Sequence, residues 1–204
     1  MLHATRMTPS RLTLLPDERL APLLPSLQEG LAAAAESITP ENFVSMLDDT
    51  MRHVLQLAFR LAEANDGTVW LVDEAKEALV PAYNTGPDAE RILKFRQPLT
   101  AGLVSMVFGN ERPFLENDVP KNAKQDKTLD RQLGKQTLAM VIVPFYFLDA
   151  CRGVISCVKQ GVPGQAPPDS QRFAESAQAF LVHAATILGR LLDLRVMRST
   201  LGLR

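Results

Sequence analysis

The chain of 204 residues has little of several features that would define a protein class. It has two cysteines, too few for the disulfide framework of small secreted domains. Its formal net charge of −1 gives no global attraction to nucleic acid or to an anionic membrane. The longest apolar run, residues 138–148, is too short to span a bilayer and contains a proline. We see no secretory signal in the first residues, so we expect a cytoplasmic protein. From its charge and its short apolar runs, we expect neither nucleic acid nor membrane partners.

Motifs of the common enzyme classes are missing as well. "LGKQT" (133–137) has the Gly-Lys pair of a phosphate-binding loop but has Leu129 where the first glycine belongs. No nucleophile elbow occurs. The histidines His3, His53 and His183 are scattered, and none has a second candidate metal ligand three or four residues further along. The sequence therefore assigns no catalytic residue and no metal ligand.

The sequence is rich in apolar residues. Hydrophobic residues make up 46% of the chain, enough for a core in a protein of this length. We expect one domain at residues 39–194, including two long flanking helices. Residues 1–38 are a Leu/Ala/Pro-rich, partly helical leader, which is either loosely docked or adds a helix to a dimer. Residues 195–204 form a tail or a stalk.

Two long amphipathic helices are predicted at the ends of this domain. Thr39 can cap the first, Pro40 suits its first position, and apolar residues recur at steps of three and four until about Asn65. We therefore predict a helix over residues 40–64. A second long helix is predicted to begin at Asp169 and to run nearly to the end of the chain.

Short apolar segments between these helices predict strands. Residues 68–73 and 78–84 form a hairpin, and Pro81 indicates a sheet edge. Further strands are predicted at "RQPL", "RPFLEND", "TLAMVIVPFYF" and "RGVISCVKQ". Because short turns join these strands, we expect an antiparallel sheet and an α+β fold.

Two further features lie between the strands. Residues 100–109 are predicted to form a short helix, with Thr100 as its cap and Gly109 as its terminator. Residues 116–135, hereafter the lid segment, are polar, mixed in charge and almost without apolar anchors. Long polar segments of this kind inside compact domains are typical of lids and mobile loops.

The two cysteines lie close together in the sequence. Cys151 belongs to the turn "LDAC", and Cys157 lies in the strand that follows. An even spacing on a continuous strand points both side chains to one face, about 20 Å apart, too far for a disulfide or a shared metal ion. We interpret Cys157 as a buried thiol that packs as a small hydrophobe. A reactive Cys151 is the alternative, and it would suit a thiol enzyme.

Four stretches carry a family resemblance when taken in order. They are "GTVWLVDEAKEALVPAYNTG", "LTAGLVSMVFGNERPFLEND", "TLAMVIVPFYFLDACRGVISCV" and "PPDSQRFAESAQAFLVHAATIL". Taken in order, they match the elements of one known domain: its first hairpin, its helix followed by a strand that ends in Asp, its strand pair and its terminal helix. Pro144 and Gly153 occupy the positions where that strand pair has a proline and a glycine. Over residues 43–192 this order resembles the GAF domain family, the small-molecule sensor modules of signalling proteins.

The resemblance implies a twisted antiparallel sheet whose first and last helices cover one face. A ligand pocket would lie on the other face, under the short helices and the lid segment. Ser105 replaces a glycine common in the family after "AGLV". The Asn-Lys-Phe-Asp-Glu signature of cyclic-nucleotide-binding members is absent. No cysteine matches those of bilin-carrying members or of the free-methionine-sulfoxide reductases, so the ligand and any cofactor are unknown.

We expect any ligand to lie between the sheet and residues 86–135, where aromatic side chains would supply walls and charged ones anchors. The simpler alternative is that the aromatics are core and the charges are solvated. The candidate ligand-binding residues are Tyr83, Arg91, Phe95, Phe114, Asp118, Lys135 and Tyr146.

The last helix carries two apolar rows. One alternates steps of four and three, the 3.5-residue period of a coiled-coil seam, and the other comprises Leu181, Leu188 and Leu192. One row can face the sheet and the other a partner, or both can form one broad stripe within the monomer. We predict a parallel homodimer in which the first and last helices form a bundle. The interface candidates are Phe173, Phe180, Ile187, Leu191 and Leu194.

These patterns predict a non-catalytic sensor or regulatory domain. It would bind an unidentified small molecule and signal through its helical dimer interface to an output domain or a partner. One alternative is a thiol-dependent redox enzyme, similar to methionine sulfoxide reductases, that uses Cys151. Another is a purely structural dimerisation module whose pocket has closed.

Overall fold

The computed structural model describes residues 21–163 and 171–202, so the predicted helix start at Asp169 lies outside the described residues. The helices are α1 (Leu24–Glu36), α2 (Phe43–Met46), α3 (Asp49–Leu61), α4 (Ala89–Ile92), α5 (Gly102–Asn110), α6 (Thr128–Leu133) and α7 (Glu175–Thr200). The strands are β1 (Asp66–Val72), β2 (Ala78–Asn84), β3 (Gln97–Pro98), β4 (Phe114–Glu116), β5 (Gln136–Phe147) and β6 (Ala150–Gly161).

The strands form one six-stranded sheet in the order β3-β2-β1-β6-β5-β4, and each neighbouring pair is antiparallel. This sheet with its helices confirms the predicted α+β fold. The sheet edge indicated by Pro81 is only local. β3 pairs with Ala78 and Leu79 alone, so among the described residues β2 has no strand neighbour on that side at Pro81.

Alternating side chains give the sheet two different faces. On one, here called the helix face, β5 residues such as Val143 and Phe145 pack with Leu55 of α3 and with Leu181 and Leu188 of α7. On the other, the lid face, α5 and the lid segment cover a smaller apolar cluster. The arrangement is the one that the family resemblance implies.

The predicted helix over residues 40–64 is wrong, because the chain breaks it in two. Leu47 is extended, and Asp48 takes up an N-cap conformation in which its Oδ1 accepts the Met51 amide at 2.9 Å. A carboxylate cap satisfies an amide that would otherwise have no helical partner, which is worth about 1 kcal/mol. This local bond therefore marks the start of α3 as a separate helix.

The ends of α5 also differ from the prediction. The helix begins at Gly102, and its N-cap is Ala101 rather than Thr100, with no side-chain cap. Gly109 lies within the helix, which ends at Glu111 in the left-handed region (φ 55°). The helix thus continues past Gly109, because Glu111 adopts the left-handed conformation that ends it.

A bulge reverses the face of Tyr83. Val69 pairs with Tyr83 and Trp70 with Pro81, so Ala82 is an extra residue in β2. Regular alternation would place Tyr83 on the lid face with Pro81. The extra residue turns its side chain to the helix face instead, where it packs against the larger core.

A second bulge separates the two cysteines. Phe145 pairs with Gly153 and Tyr146 with Cys151, so Arg152 is the extra residue in β6. Cys151 therefore shares the lid face with Tyr146, whereas Cys157 lies in the helix-face core. The prediction that both thiols point to one face is wrong for this reason. Cys151 also lies within β6, because the hairpin turn is Leu148 and Asp149, both at positive φ (49° and 60°).

The second half of the predicted leader packs on the domain. The α1 helix contacts α7 and approaches it so closely that a Cβ on Gly30 would lie 3.1 Å from the Thr200 methyl group. Arg152 of the bulge donates to the Ala35 carbonyl at the end of α1. Within residues 21–163 and 171–202, no helix has the length and apolar character needed to cross a membrane.

Candidate functional site

The lid face is largely filled by its own side chains. The Trp70 indole N–H donates to Ser156 Oγ at 2.9 Å, and the ring meets Phe95 edge to face at a centroid distance of 6.4 Å. Leu103 and Val104 of α5 pack in the same cluster. They leave an inner cavity of about 60 Å³. A space of this size holds one or two water molecules and no larger ligand.

A much larger groove opens beside this cavity. It lies between the start of α5 and residues 123–131 of the lid segment, and its volume is about 770 Å³. Gly102, Gln125 and Asp126 line both the groove and the inner cavity, so the two spaces meet at these residues. The groove is within the size range of pockets that bind small molecules.

The chemistry of the groove is mixed. Leu99 and Met106 supply apolar surface, and Lys124, Lys127 and Arg131 supply positive charge. Asp126 is its acidic residue. Hydrogen bonds from Thr128, helped by Gln97 and by the charge of Arg131, hold the pKa of Asp126 below its usual value. The groove therefore combines an ionised carboxylate with three cations at neutral pH.

The second half of the lid segment is tied to the sheet and to α4. Asp130 accepts from the Thr137 amide (2.9 Å), the Thr137 hydroxyl (2.7 Å) and the Gln125 side-chain amide (3.0 Å). Lys135 pairs with Asp88. These contacts hold the part of the lid segment that borders the groove.

The first half is tied to the segment that leads into α7. The Asn117 side chain donates to the Phe173 carbonyl at 3.0 Å and accepts from the Phe173 amide at 2.7 Å. Glu116 accepts from Asn122 Nδ2 and from the Asp118 amide. The lid segment thus connects the groove to the start of the longest helix.

The predicted ligand-binding residues do not line either space. Tyr83 lies on the helix face, half-buried, with the Arg52 guanidinium 5.8 Å from its ring centroid, because of the bulge at Ala82. Tyr146 is on the lid face, but it lies six residues along β5 from Met140, which lines the inner cavity. Six strand residues place Tyr146 about 20 Å from Met140. The structure therefore places both residues outside the groove and the inner cavity, and their role in ligand binding stays a prediction.

Phe95 and Phe114 are packing residues. Phe95 is buried against Trp70, and Phe114 is half-buried against the same cluster. They occupy the predicted region, yet no surface of either faces the groove or the inner cavity. The simpler interpretation of these aromatics as core residues fits their positions.

The three charged candidates make internal contacts. Arg91 donates to the Gln132 carbonyl and lies 3.6 Å from Asp88, which also pairs with Lys135. Asp118 pairs with Lys121 at the surface. Arg91 and Lys135 fasten the lid segment to α4 and do not point into the groove.

The sequence carried no readable signal for the groove. Lys124 and Lys127 lie in the non-helical chain before α6 and Arg131 lies within that helix, so their spacing does not place them on one helix face. Gly102 has φ +84°, and a Cβ there would lie 2.9 Å from Gln97 Nε2, so the tight turn into α5 requires glycine. Turn geometry of this kind is not readable from "TAGL" alone.

Neither thiol has the environment of a nucleophile. Burial raises the pKa of Cys151 to about 11 and that of Cys157 to about 12. Burial also raises the pKa of Tyr146, whose hydroxyl donates to Glu111 Oε2 at 2.8 Å. Both thiols are therefore protonated at neutral pH. Within the described part of the chain, no group of three His, Cys, Asp or Glu residues could hold a metal ion.

The predicted interface residues divide between core and surface. Phe173 is only 4% exposed and lies in the helix-face core ahead of α7, so its side chain is not presented to a partner. Phe180 and Leu191 are half-buried. Ile187 and Leu194 are 47% and 52% exposed.

Comparison with known proteins identifies the family. Residues 45–193 match the family model described as GAF domain, which covers most of the chain. A search of curated proteins found no sequence that matches this chain.

Solved structures show the same fold at low identity. The GAF domain of an Acinetobacter phosphoenolpyruvate-protein phosphotransferase shares 17% identity over 88% of this chain and 96% of its own, with a TM-score of 0.56. The corresponding domain from Coxiella burnetii shares 18% identity over 89% and 97%, with a TM-score of 0.56. A free methionine-R-sulfoxide reductase from Neisseria meningitidis, solved with its substrate, shares 19% identity over 92% and 97%, with a TM-score of 0.53. The chain belongs to the GAF domain family.

Proposed function

We propose that the chain is a non-catalytic regulatory module that binds a small molecule in the groove beside α5 and signals through its helix face. GAF domains are generally signalling and sensor modules. The observation that carries the proposal is the groove of about 770 Å³, which reaches the interior at Gly102, Gln125 and Asp126. A small molecule there would contact α5 and the lid segment together.

The volumes of the two spaces support the groove as the place of such a ligand. The inner cavity of about 60 Å³ is too small for a metabolite, because Trp70 and Phe95 fill the space beneath the lid segment. The groove is more than ten times larger by these volumes. We therefore assign the ligand to the groove, with at most one small group entering the interior.

The signal would leave through the lid segment. The paired hydrogen bonds between Asn117 and Phe173 join the lid segment to the residues just before α7. The α7 helix packs along β5 and against α3. A ligand that shifts the lid segment would therefore act directly on the N-terminal end of α7.

The proposed output is a homodimer formed by α3 and α7. Leu57 and Leu61 of α3 are 41% and 52% exposed, and Ile187 and Leu194 of α7 are similarly exposed. Large apolar side chains are normally scattered singly on a surface, whereas these lie on two helices that pack together. Burying them against a second copy would remove apolar surface from water, at about 25 cal/mol per Å².

The state of the thiols supports a non-catalytic module. A thiol acts as a nucleophile in its ionised form, and a pKa of about 11 leaves Cys151 almost entirely protonated at pH 7. The bulge at Arg152 also keeps Cys151 and Cys157 on opposite faces, where they cannot form a disulfide during turnover.

The reductase alternative rests on the likeness to the Neisseria meningitidis enzyme, and it has a direct test. We expect the native protein to show no turnover of free methionine sulfoxide and slow labelling by iodoacetamide at pH 7.5. Protein unfolded in urea should label rapidly at both cysteines and serves as the control. Turnover that disappears in the Cys151→Ser variant would overturn the proposal.

The ligand is tested by native mass spectrometry of gently purified protein, together with thermal shifts against a metabolite library. We expect one small molecule to bind with one copy per chain. A protein that dimerises but binds no compound of any class would instead be the purely structural module.

The dimer is tested by light scattering at micromolar concentration. We expect a dimer in the wild type and a monomer in the variant with Ile187→Asp and Leu194→Asp. The matched control is Leu93→Asp, because Leu93 is 39% exposed but lies next to α4, away from both helices. A wild-type monomer, or a dimer that the double variant leaves intact, would contradict the helical interface.

A further inference from the structure

We propose that the ligand of the groove is a small organic anion that also carries a hydrogen-bond donor. This inference rests on the proposed function, because it names the chemical class of the molecule in the same groove. Three properties of the lining carry it: unpaired positive charge, an uncapped helix start and a buried acceptor without a donor.

The positive charge of the groove is only partly neutralised, because three cations face one carboxylate, that of Asp126. Lys124, Lys127 and Arg131 have no ion pair within 4 Å among the residues that the structure describes. Their contacts are weak: Lys124 Nζ lies 3.7 Å from the Met106 sulfur, and Lys127 Nζ lies 3.5 Å from the Pro120 carbonyl.

The neighbouring acidic residues are already occupied. Asp126 accepts from the Thr128 amide and hydroxyl and from Gln97, and Asp130 accepts from Thr137 and Gln125. Lys121, just outside the groove, has Asp118 as its partner. The five cations of the lid segment thus separate into two that are paired, Lys121 with Asp118 and Lys135 with Asp88, and three that face the groove.

The start of α5 adds to the positive character. Its N-cap residue is Ala101, which offers no side-chain oxygen to the first amides of this nine-residue helix. Amides without a cap carry the positive end of the helix dipole. Ala101 and Gly102 line the groove, so the start of α5 lies at its wall. The helix end alone would not define a site, but here it faces the same space as the three cations.

The need for a donor comes from Gln125. Its Oε1 is buried and has no hydrogen-bond partner in the described structure, while its Nε2 donates to Asp130 at 3.0 Å. Reversing the amide would set the oxygen against the Asp130 carboxylate. A buried acceptor without a donor costs about 1–3 kcal/mol. A ligand hydroxyl or amine would satisfy it, and Gln125 lies where the groove meets the inner cavity.

The apolar part of the lining limits the ligand to a compact molecule. Leu99, Ala101 and Met106 offer a surface for a short hydrocarbon portion, with the cations around it. The description therefore fits a hydroxylated carboxylate, an aminated dicarboxylate, or a phosphate ester of similar size. It does not fit a neutral or cationic molecule.

The chain contains one tryptophan, which gives the experiment its signal. Trp70 lines the inner cavity, so its fluorescence should respond when a molecule reaches Gln125. The probes are malate and inorganic phosphate as anions, with succinate as the dianion that lacks the malate hydroxyl. Glycerol and choline, at matched ionic strength, are the neutral and cationic controls. We expect saturable changes with the anions alone, weaker at high salt.

The matched variant replaces Lys124, Lys127 and Arg131 together by Gln. We expect it to weaken malate binding by about tenfold or more, because opposite charges are lost at short range. Anions that bind the triple variant as tightly as the wild type would overturn the proposal. Unfolding in urea checks that the variant is folded, since these exposed side chains contribute little to stability.

The donor is tested by comparing malate with succinate. We expect the wild type to prefer malate several-fold and the Gln125→Leu variant to lose this preference. A preference that persists in the variant would overturn the role of Gln125.

Failure of this inference differs from failure of the proposed function. If a neutral or cationic molecule co-purifies and occupies the groove while the anions do not bind, the inference is wrong and the proposed function stands. If no compound of any class binds, both are wrong.

Discussion

The two faces of the central sheet are covered in different ways. On the helix face, Leu55, Phe145, Leu181 and Leu188 are fully buried among apolar neighbours. On the lid face, a smaller apolar cluster lies beneath a lid segment held by polar contacts such as Asp130 with Thr137. Apolar burial is spread over many contacts, whereas each polar contact can open separately. From this difference we expect the helix face to be the structural framework and the lid face to be the adjustable one.

The largest expected effect compares phenylalanines on the two faces. Phe145→Ala should lower the free energy of unfolding by about 3–5 kcal/mol, because a fully buried ring leaves a cavity. Phe114→Ala should cost clearly less, since Phe114 is only half-buried on the lid face. Urea denaturation measures both. Equal losses would show that the two faces contribute alike.

The next effect concerns the attachment of the lid segment. Asp130→Ala leaves the Thr137 amide without its acceptor, which should cost about 1–3 kcal/mol. Trypsin should then cleave faster within the lid segment, whose lysines and arginines report its opening. Asp118→Ala is the control, because it removes only an exposed ion pair with Lys121. The backbone amide of residue 118 can still donate to Glu116 Oε1. Unchanged cleavage in Asp130→Ala would contradict the attachment.

Two glycines with open space around them give a paired test. Gly134 ends α6 at φ +66°, so Gly134→Ala should destabilise the protein by about 1 kcal/mol through backbone strain alone. Gly109 lies inside α5 with no atom near its missing Cβ, so Gly109→Ala should stabilise by about 0.5–1 kcal/mol. Thermal unfolding should show shifts of opposite sign. Shifts of the same sign would exclude this account of the two positions.

The smallest effect is a pH dependence from Asp66, which accepts from Asn84 Nδ2 at 2.9 Å. Burial raises the pKa of Asp66, against hydrogen bonds from Asn84 and the Gly67 amide. The folded-state pKa thus lies above the unfolded value near 3.8, so the contribution to stability is present below that pH and is lost as pH rises through the folded-state pKa.

Asp66→Asn removes this titration. We expect the free energy of unfolding of the variant to fall less than that of the wild type as pH rises from about 4 to 7. Urea titrations at several pH values measure the two slopes. Identical slopes would mean that Asp66 does not titrate differently in the folded state.

The sequence predicts the fold because periodicity reports burial directly. The alternation in β5 and the three- and four-residue steps in α3 and α7 reflect which face meets the core. The errors come from single extra residues and local bonds. Nothing in the composition marks Ala82 or Arg152 as a bulge, yet each reverses the side chains beyond it. The cap bond from Asp48 likewise divides a continuous apolar pattern.

The groove lies within the region that the sequence indicates, but its lining residues differ from the predicted ones. The polarity of the lid segment indicates a cover over the sheet, and the groove does lie beneath part of it. Which charges face the groove depends on which are neutralised elsewhere. Lys135 and Arg91 are engaged in holding the lid segment, whereas Lys124 and Lys127 have no carboxylate partner among the described residues. That distinction requires three-dimensional pairing, which spacing does not give.

Amide hydrogen exchange of the ligand-free protein tests most directly whether the two faces differ as described. Peptides from residues 119–133 should exchange through local openings, at a lower free energy than global unfolding. Peptides from β5, β6 and α7 should exchange only when the whole domain unfolds. If the lid segment were protected as strongly as the sheet and α7, the lid face would be as rigid as the helix face, and the proposed ligand-responsive lid would be contradicted.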